Sequence, residues 1–427
     1  MKTLAYLLLF CLSCPVVLAA PMGEADARHL LGRAGLGART TEIAGFAALS
    51  RQEAVAQLLA PVRVDARTPL PADVAAHVPP SQLRDADGAA RKQLEQEARQ
   101  RGIALRLWWL DEMLATSTPA EQLRERMTLF WHNHFVSSLQ KVKSTGWMVA
   151  QNQLLRRHAL ERFGPMLHAV SRDPAMIVYL DGASNRKGSP NENFAREVME
   201  LFTLGEGNYT EQDIKEAARA FTGWSIDRET GEFRWRAFAH DDGVKTVLGQ
   251  SGNFDGDAVL DILLARPETA NFVVSKLWRE FVSPDTDNQK SALAIRRVAE
   301  RFRSSGYDIR VALKAVFESD AFWAPSNRDA LVKSPVDLLV GVIRAESIRL
   351  PDGRLLAVGL RTLGQDLFAP PNVRGWPGGE NWINSSTLLA RKSALERLLN
   401  VDALRRLPAP ERDALRERWL AAQFQLK

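Results

Sequence analysis

Apolar positions recurring at three- and four-residue intervals dominate this chain and predict helices along most of its length. Short helices precede and follow Gly35 and Gly37, and a proline-dotted loop runs from Pro61 to about Pro80. A helical pattern covers Gln82 to Ala115, charged at first and then apolar through "ALRLWWLDEMLA". Pro119 opens the next helix, "PAEQLRERMTLFWHNHFVSS", with Leu123, Met127, Phe130 and His134 along one stripe. Further helices are predicted at Gly146–Phe163, Pro165–Ser171, Asn191–Thr203 and Thr210–Thr222. Between residues 231 and 254 the period changes. Polar and apolar residues there alternate about Asp241-Asp242-Gly243, which predicts a β-hairpin insertion. Helices resume at Gly256–Leu264, Pro267–Phe281, Lys290–Ser304, Ile309–Glu318, Pro335–Glu346 and near Ala357–Leu363. A Gly- and Pro-rich loop, "APPNVRGWPGGENWINSS", leads into the last helices, with Asn384 to Thr387 capping the first of them. No fixed-period repeat or linker interrupts the series. The expected fold is mostly α, a single multi-helix domain over residues 21–427 carrying a small hairpin.

The first twenty residues read differently. A lysine near the start, an apolar run from Leu4 to Leu12 and small residues at Ala19 and Ala20 predict a secretory signal peptide. Its apolar run is too short to span a bilayer, and the expected location is periplasmic or extracellular. Cys14 is a poor lipid-attachment site, because Cys11 stands three before it and Pro15 follows. Both cysteines of the chain lie in this leader, so the mature protein would have no thiol nucleophile, iron–sulfur ligand or cysteine-based zinc site. Hydrophobic residues make up 45% of the 427, enough for a core that holds without disulfides. The net charge of +5 comes without a concentrated basic patch, which argues against nucleic acid as a partner.

Four stretches carry candidate chemistry. In "FWHNHF", His132 and His134 are two apart and point to nearly opposite sides of an ideal helix. They read either as buried, hydrogen-bonded histidines or, at a distorted helix end, as ligands of a divalent metal. In "SPNENFAREVMELFTLG", Asn193, Glu197 and Glu200 fall on one helical face, following Asn191 and flanked by Arg196. This polar row is expected to line an interior cleft, with Asn193 buried. There Glu197 or Glu200 could serve as general base, or the row could be a salt-bridge network tied to Arg219. His240 and Asp241, at the expected hairpin tip, supply a further imidazole–carboxylate pair for a metal or a base, or simply turn residues. Trp376 and Trp382 in the late loop either stack on a glycan or pin the loop to the core. No GxSxG, HExxH, Walker or Rossmann signature is present.

Taken in order, "ARHLLGRAGLG", "MTLFWHNHFVSS", "NENFAREVMELFTLGEGNYTEQDIKEAARAFTGW", "HDDGVKTVLG" and "PPNVRGWPGGENWINSSTLLAR" resemble the bacterial secreted family called domain of unknown function 1800. The resemblance covers nearly the whole mature chain. It implies export, and a partnership with a second secreted family, domain of unknown function 1501, which is itself similar to alkaline phosphatases and sulfatases. It supplies no catalytic residues. Two functions therefore stand side by side. One is a metal-dependent, hydrolase-like enzyme acting on an envelope or extracellular polymer, with ligands from His132, His134, His240 and Asp241. The other is a non-catalytic binding or assembly protein.

Overall fold

The computed structural model describes residues 20–422 apart from 77, 79–85, 228 and 329. The expected leader lies outside the described residues. The architecture is mostly helical, with two small antiparallel ribbons. One apolar cluster runs from Ala27 to Trp419, so elements from both ends of the chain share a core. No described helix is long and apolar enough to cross a membrane.

The helix Pro119–His134 sits at the centre. Thr118 and Glu121 form a capping box at its start, and Pro119 fills the first turn, where a missing N–H costs nothing. It is buried on nearly every side, including its charged residues. Arg156 pairs with Glu125 at 2.6 Å and Arg126 with Asp337 at 2.6 Å. Buried charges of this kind survive only when paired, which explains why so polar a stretch can be a core helix. Thr145–His158 and Gly23–Ala34 pack against it.

Most boundaries agree with the hydrophobic pattern to within a few residues, and Pro267–Phe281 agrees at both ends. Two elements differ. The helix expected over Gln82–Ala115, whose first four positions lie outside the described residues, starts at Gly88, where the Asp87 carboxylate accepts from the amides of Ala89 and Ala90. The segment expected as one helix over Asn191–Thr203 divides into Asn193–Glu197 and a π-helical stretch, Val198–Thr203.

The insertion is two ribbons rather than one hairpin. Trp224–Ile226 pairs with Phe233–Trp235, and Lys245–Val247 pairs with Gln250–Gly252. Asp241-Asp242-Gly243 links them instead of forming a hairpin turn, because the Asp241 carboxylate is held by the Arg219 guanidinium at 2.8 Å and by the Gly243 amide at 2.9 Å. The tight turn falls at Leu248 and Gly249, both at positive φ (51° and 79°), where a leucine gives little sequence warning.

Candidate functional site

A cleft of about 860 Å³ opens between the second half of Pro119–His134, the helix Pro267–Phe281 and the loop at 365–382. Its defining group is Lys276. The Nζ atom donates to Nδ1 of His134 at 3.1 Å and to the carbonyl of Leu201 at 3.0 Å. The Phe202 carbonyl can only accept, so His134 Nε2 carries the hydrogen and donates to it at 3.1 Å. That leaves Nδ1 without a hydrogen, as the acceptor of a Lys276 N–H. The imidazole is held neutral, well below its ordinary range, by burial and then by the neighbouring amine. Burial, followed by the charges of Arg279 and Arg374, brings the Lys276 amine down from 10.5 to about 7.

Both carbonyls come from the π-helical stretch. There the amides of Leu204 and Gly205 bond back to Met199, at 2.8 and 3.2 Å, and Thr203 Oγ1 donates to the Val198 carbonyl at 2.5 Å. The widened turn leaves the carbonyls of Leu201 and Phe202 to be met by side chains from two other helices. Gly205, at φ +78°, ends the segment where an added Cβ would lie 2.8 Å from the Phe272 ring.

Arg374 stands at the mouth of the cleft and joins two elements. It donates to Glu200 at 2.9 Å and to Glu206 at 2.8 Å, and Glu200 also accepts from the Tyr209 hydroxyl at 2.9 Å. Burial, then the hydrogen bond to Glu200, raises the Tyr209 phenol above its ordinary value. Glu197 is half-buried and has no hydrogen-bond partner among the described residues. Burial, then repulsion from Glu200, raises its carboxyl above the usual range. Deeper in the wall, Arg126 holds both Glu280, at 3.0 Å, and Asp337.

The other expected site residues separate. Asn193 is exposed rather than buried, its amide donating to Asp181 at 3.0 Å, and Asn191 bonds to Asn185 and Ser184. Their work is to fold the loop ahead of the helix. Arg196 turns away from Glu197 and Glu200 to Glu211 and Glu192, and Arg219 pairs with Asp241 and Glu216. His132 is fully buried among Trp109, Phe368 and Trp376, ring centroids 5.3–5.6 Å away, and neither of its nitrogens has a hydrogen-bond partner among the described residues. Burial alone lowers it to about 3. His240 is buried too, its Nδ1 against the Thr222 carbonyl at 2.9 Å. The Arg219 hydrogen bond, against some burial, takes Asp241 down to about 2. Thus the four expected metal ligands each have separate surroundings. Among the described residues, no three His, Cys, Asp or Glu side chains gather as a metal site. Trp376 and Trp382 are only 4% and 5% exposed, so they pin the loop to the core rather than offering open faces for stacking.

A family model with the description "Protein of unknown function (DUF1800)" matches residues 29–426, almost the full length of the chain. The chain belongs to this family. No curated protein and no solved structure matches.

Three residues of this DUF1800 protein's cleft escape sequence reading. Lys276 stands in "ANFVVSKLWREFV", where one lysine beside an apolar stripe looks like any solvated helix position. Arg279, one turn on, has the same disguise. Asn133, between the two histidines, accepts from the Trp376 amide at 2.7 Å and fixes the loop to the central helix. The only available signal was that Asn133 interrupts an otherwise aromatic "FWHNHF" run.

Proposed function

We propose that this DUF1800 protein is an exported single-domain enzyme that cleaves an envelope or extracellular polymer in the Lys276 cleft, with the Lys276 amine as the base. The supporting observation is that amine, brought down to about 7 at the wall of a large cleft and ordered by two fixed acceptors. When neutral, an amine that donates both hydrogens keeps its lone pair free. A base poised near the working pH is what general-base catalysis needs. His134 positions the amine without exchanging its own proton, because its Nε2 hydrogen is committed to Phe202. Arg279, with which no described carboxylate pairs, places a cation in the cleft lining that suits an anionic chain.

The experiment is release of soluble fragments from envelope and extracellular polymers by the purified full chain. Fragment release is expected to rise with pH about a midpoint near 7 and to fall by roughly 10²–10⁴-fold in Lys276→Met. Release by Lys276→Met at the wild-type rate would sink the reading. Since the four histidine and aspartate candidates lie in separate surroundings, chelation is expected to leave the rate unchanged.

A second reading, assembly with a secreted partner such as a member of the domain of unknown function 1501 family, is favoured by the exposed apolar side chains of the ribbon insertion. Phe238 is 84% and Val244 68% exposed. On that non-catalytic reading the wild-type chain releases no fragments, and Phe238→Ser abolishes co-elution with that partner.

A further inference from the structure

The carboxylates and cations of the cleft wall are unevenly engaged, and that imbalance bears on which bond is broken. Cleaving a glycosidic bond with water ordinarily takes two free carboxyl groups flanking it, one acid and one base. Here Glu280 and Asp337 are both held by Arg126, and Glu200 is held by Arg374 and Tyr209. Glu380 stands on the exposed rim, and Glu197, though without a hydrogen-bond partner among the described residues, does not line the cleft. Of the lining arginines, Arg126 and Arg374 are paired with carboxylates and Arg279 is not. Arg279 lies three residues after Lys276 on the same helix, so both side chains reach the same face and both line the cleft. Its one side-chain hydrogen bond is to the Thr286 hydroxyl at 2.9 Å, and no described carboxylate pairs with it. One base beside one uncompensated guanidinium is the equipment for removing a proton next to a carboxylate, because the cation stabilises the charge that develops there.

Resting on the reading of Lys276 as the base, we propose that the substrate is a uronate-type polymer, recognised through its carboxylate by Arg279 and cleaved by β-elimination rather than hydrolysis. The proton on the carbon bearing the carboxylate passes to the lone pair of Lys276 Nζ. The electron pair of that C–H bond forms a carbon–carbon double bond, and the C–O bond on the adjacent carbon breaks. The departing oxygen then takes the proton from the Lys276 ammonium. One chain becomes two, one with an unsaturated carboxylate end and one with a new hydroxyl end, and no water is consumed. Lys276 is the catalytic residue of this scheme. His134 is a positioning residue, holding the amine on one of its two donated hydrogens.

The test uses the full chain with polygalacturonate and alginate as probes, carboxyl-reduced polygalacturonate as control, and water enriched in oxygen-18. Expected are shortened acidic chains with near-ultraviolet absorbance, no oxygen-18 in the new ends, and no cleavage of the reduced polymer. Arg279→Ala should raise KM more than it lowers kcat, with partial rescue by Arg279→Lys. Incorporation of one oxygen-18 per broken bond, with the rate still dependent on Lys276, overturns elimination and leaves the base assignment standing. Equal cleavage of the carboxyl-reduced polymer overturns the uronate assignment alone. Absence of cleavage of either acidic probe, while another polymer is cut in a Lys276-dependent way, also overturns it. The isotope and absorbance readings use wild-type protein, so they decide the matter even if a Lys276 variant fails to fold.

Discussion

Among single residues, the contrast between Glu197 and Glu200 is the most informative. They are three apart on one segment, yet one is engaged and the other has no hydrogen bond. Glu200 accepts from an arginine and a phenol, so Glu200→Gln should cost about 1.5–3 kcal/mol, the range for hydrogen bonds to a charged group. Glu197→Gln removes repulsion from its neighbour and should leave the melting temperature unchanged or higher. Equal losses in both variants, measured by thermal unfolding, would contradict this division. His132 makes a similar case. Its two ring nitrogens are buried without partners among the described residues, a standing penalty that a similar-sized apolar side chain would not carry. His132→Leu should therefore unfold at the same temperature or higher. A fall of several degrees would mean that the ring has a polar partner in solution. Both histidines were visible in the sequence as a pair, but their opposite environments depend on which helices face them.

At the level of elements, the π-helical stretch and the 365–382 loop build the cleft between them. Neither is a regular element whose shape propensity could specify. The loop is fixed at Gly375, where φ is +87° and an added Cβ would meet the Asn133 carboxamide oxygen at 2.2 Å. Gly375→Ala should cost about 1–3 kcal/mol in backbone strain alone. It should also break the Asn133–Trp376 hydrogen bond, making the loop more open to protease. A variant as stable and as protease-resistant as wild type would show that the clamp is dispensable. The sequence announced this loop through its glycines and prolines, and announced the capping residue Asn384, which accepts from Ser386 and Thr387 as expected. It could not announce the π turn, whose "VMELFT" residues have the pattern of an ordinary amphipathic helix.

For the molecule as a whole, Lys276 ties stability to pH. Its amine is at about 7 in the folded chain against 10.5 ordinarily, so between those values the unfolded chain binds more protons. Stability should then rise with pH from about 7 toward 10, with the cost of the buried charge fully present below 7. Denaturant unfolding at several pH values should show this slope in wild type and a flatter one in Lys276→Met; identical slopes would place the titration elsewhere. By itself the sequence determined the mostly helical fold, nearly all helix positions and the family, because apolar periodicity and caps act within a turn or two of chain. The tertiary structure decided which polar residues meet. The Lys276–His134 contact spans 142 positions and the Arg374–Glu200 contact 174. No local pattern encodes such distances; only the packing of helices from separate parts of the chain brings these groups together and shifts their proton affinities.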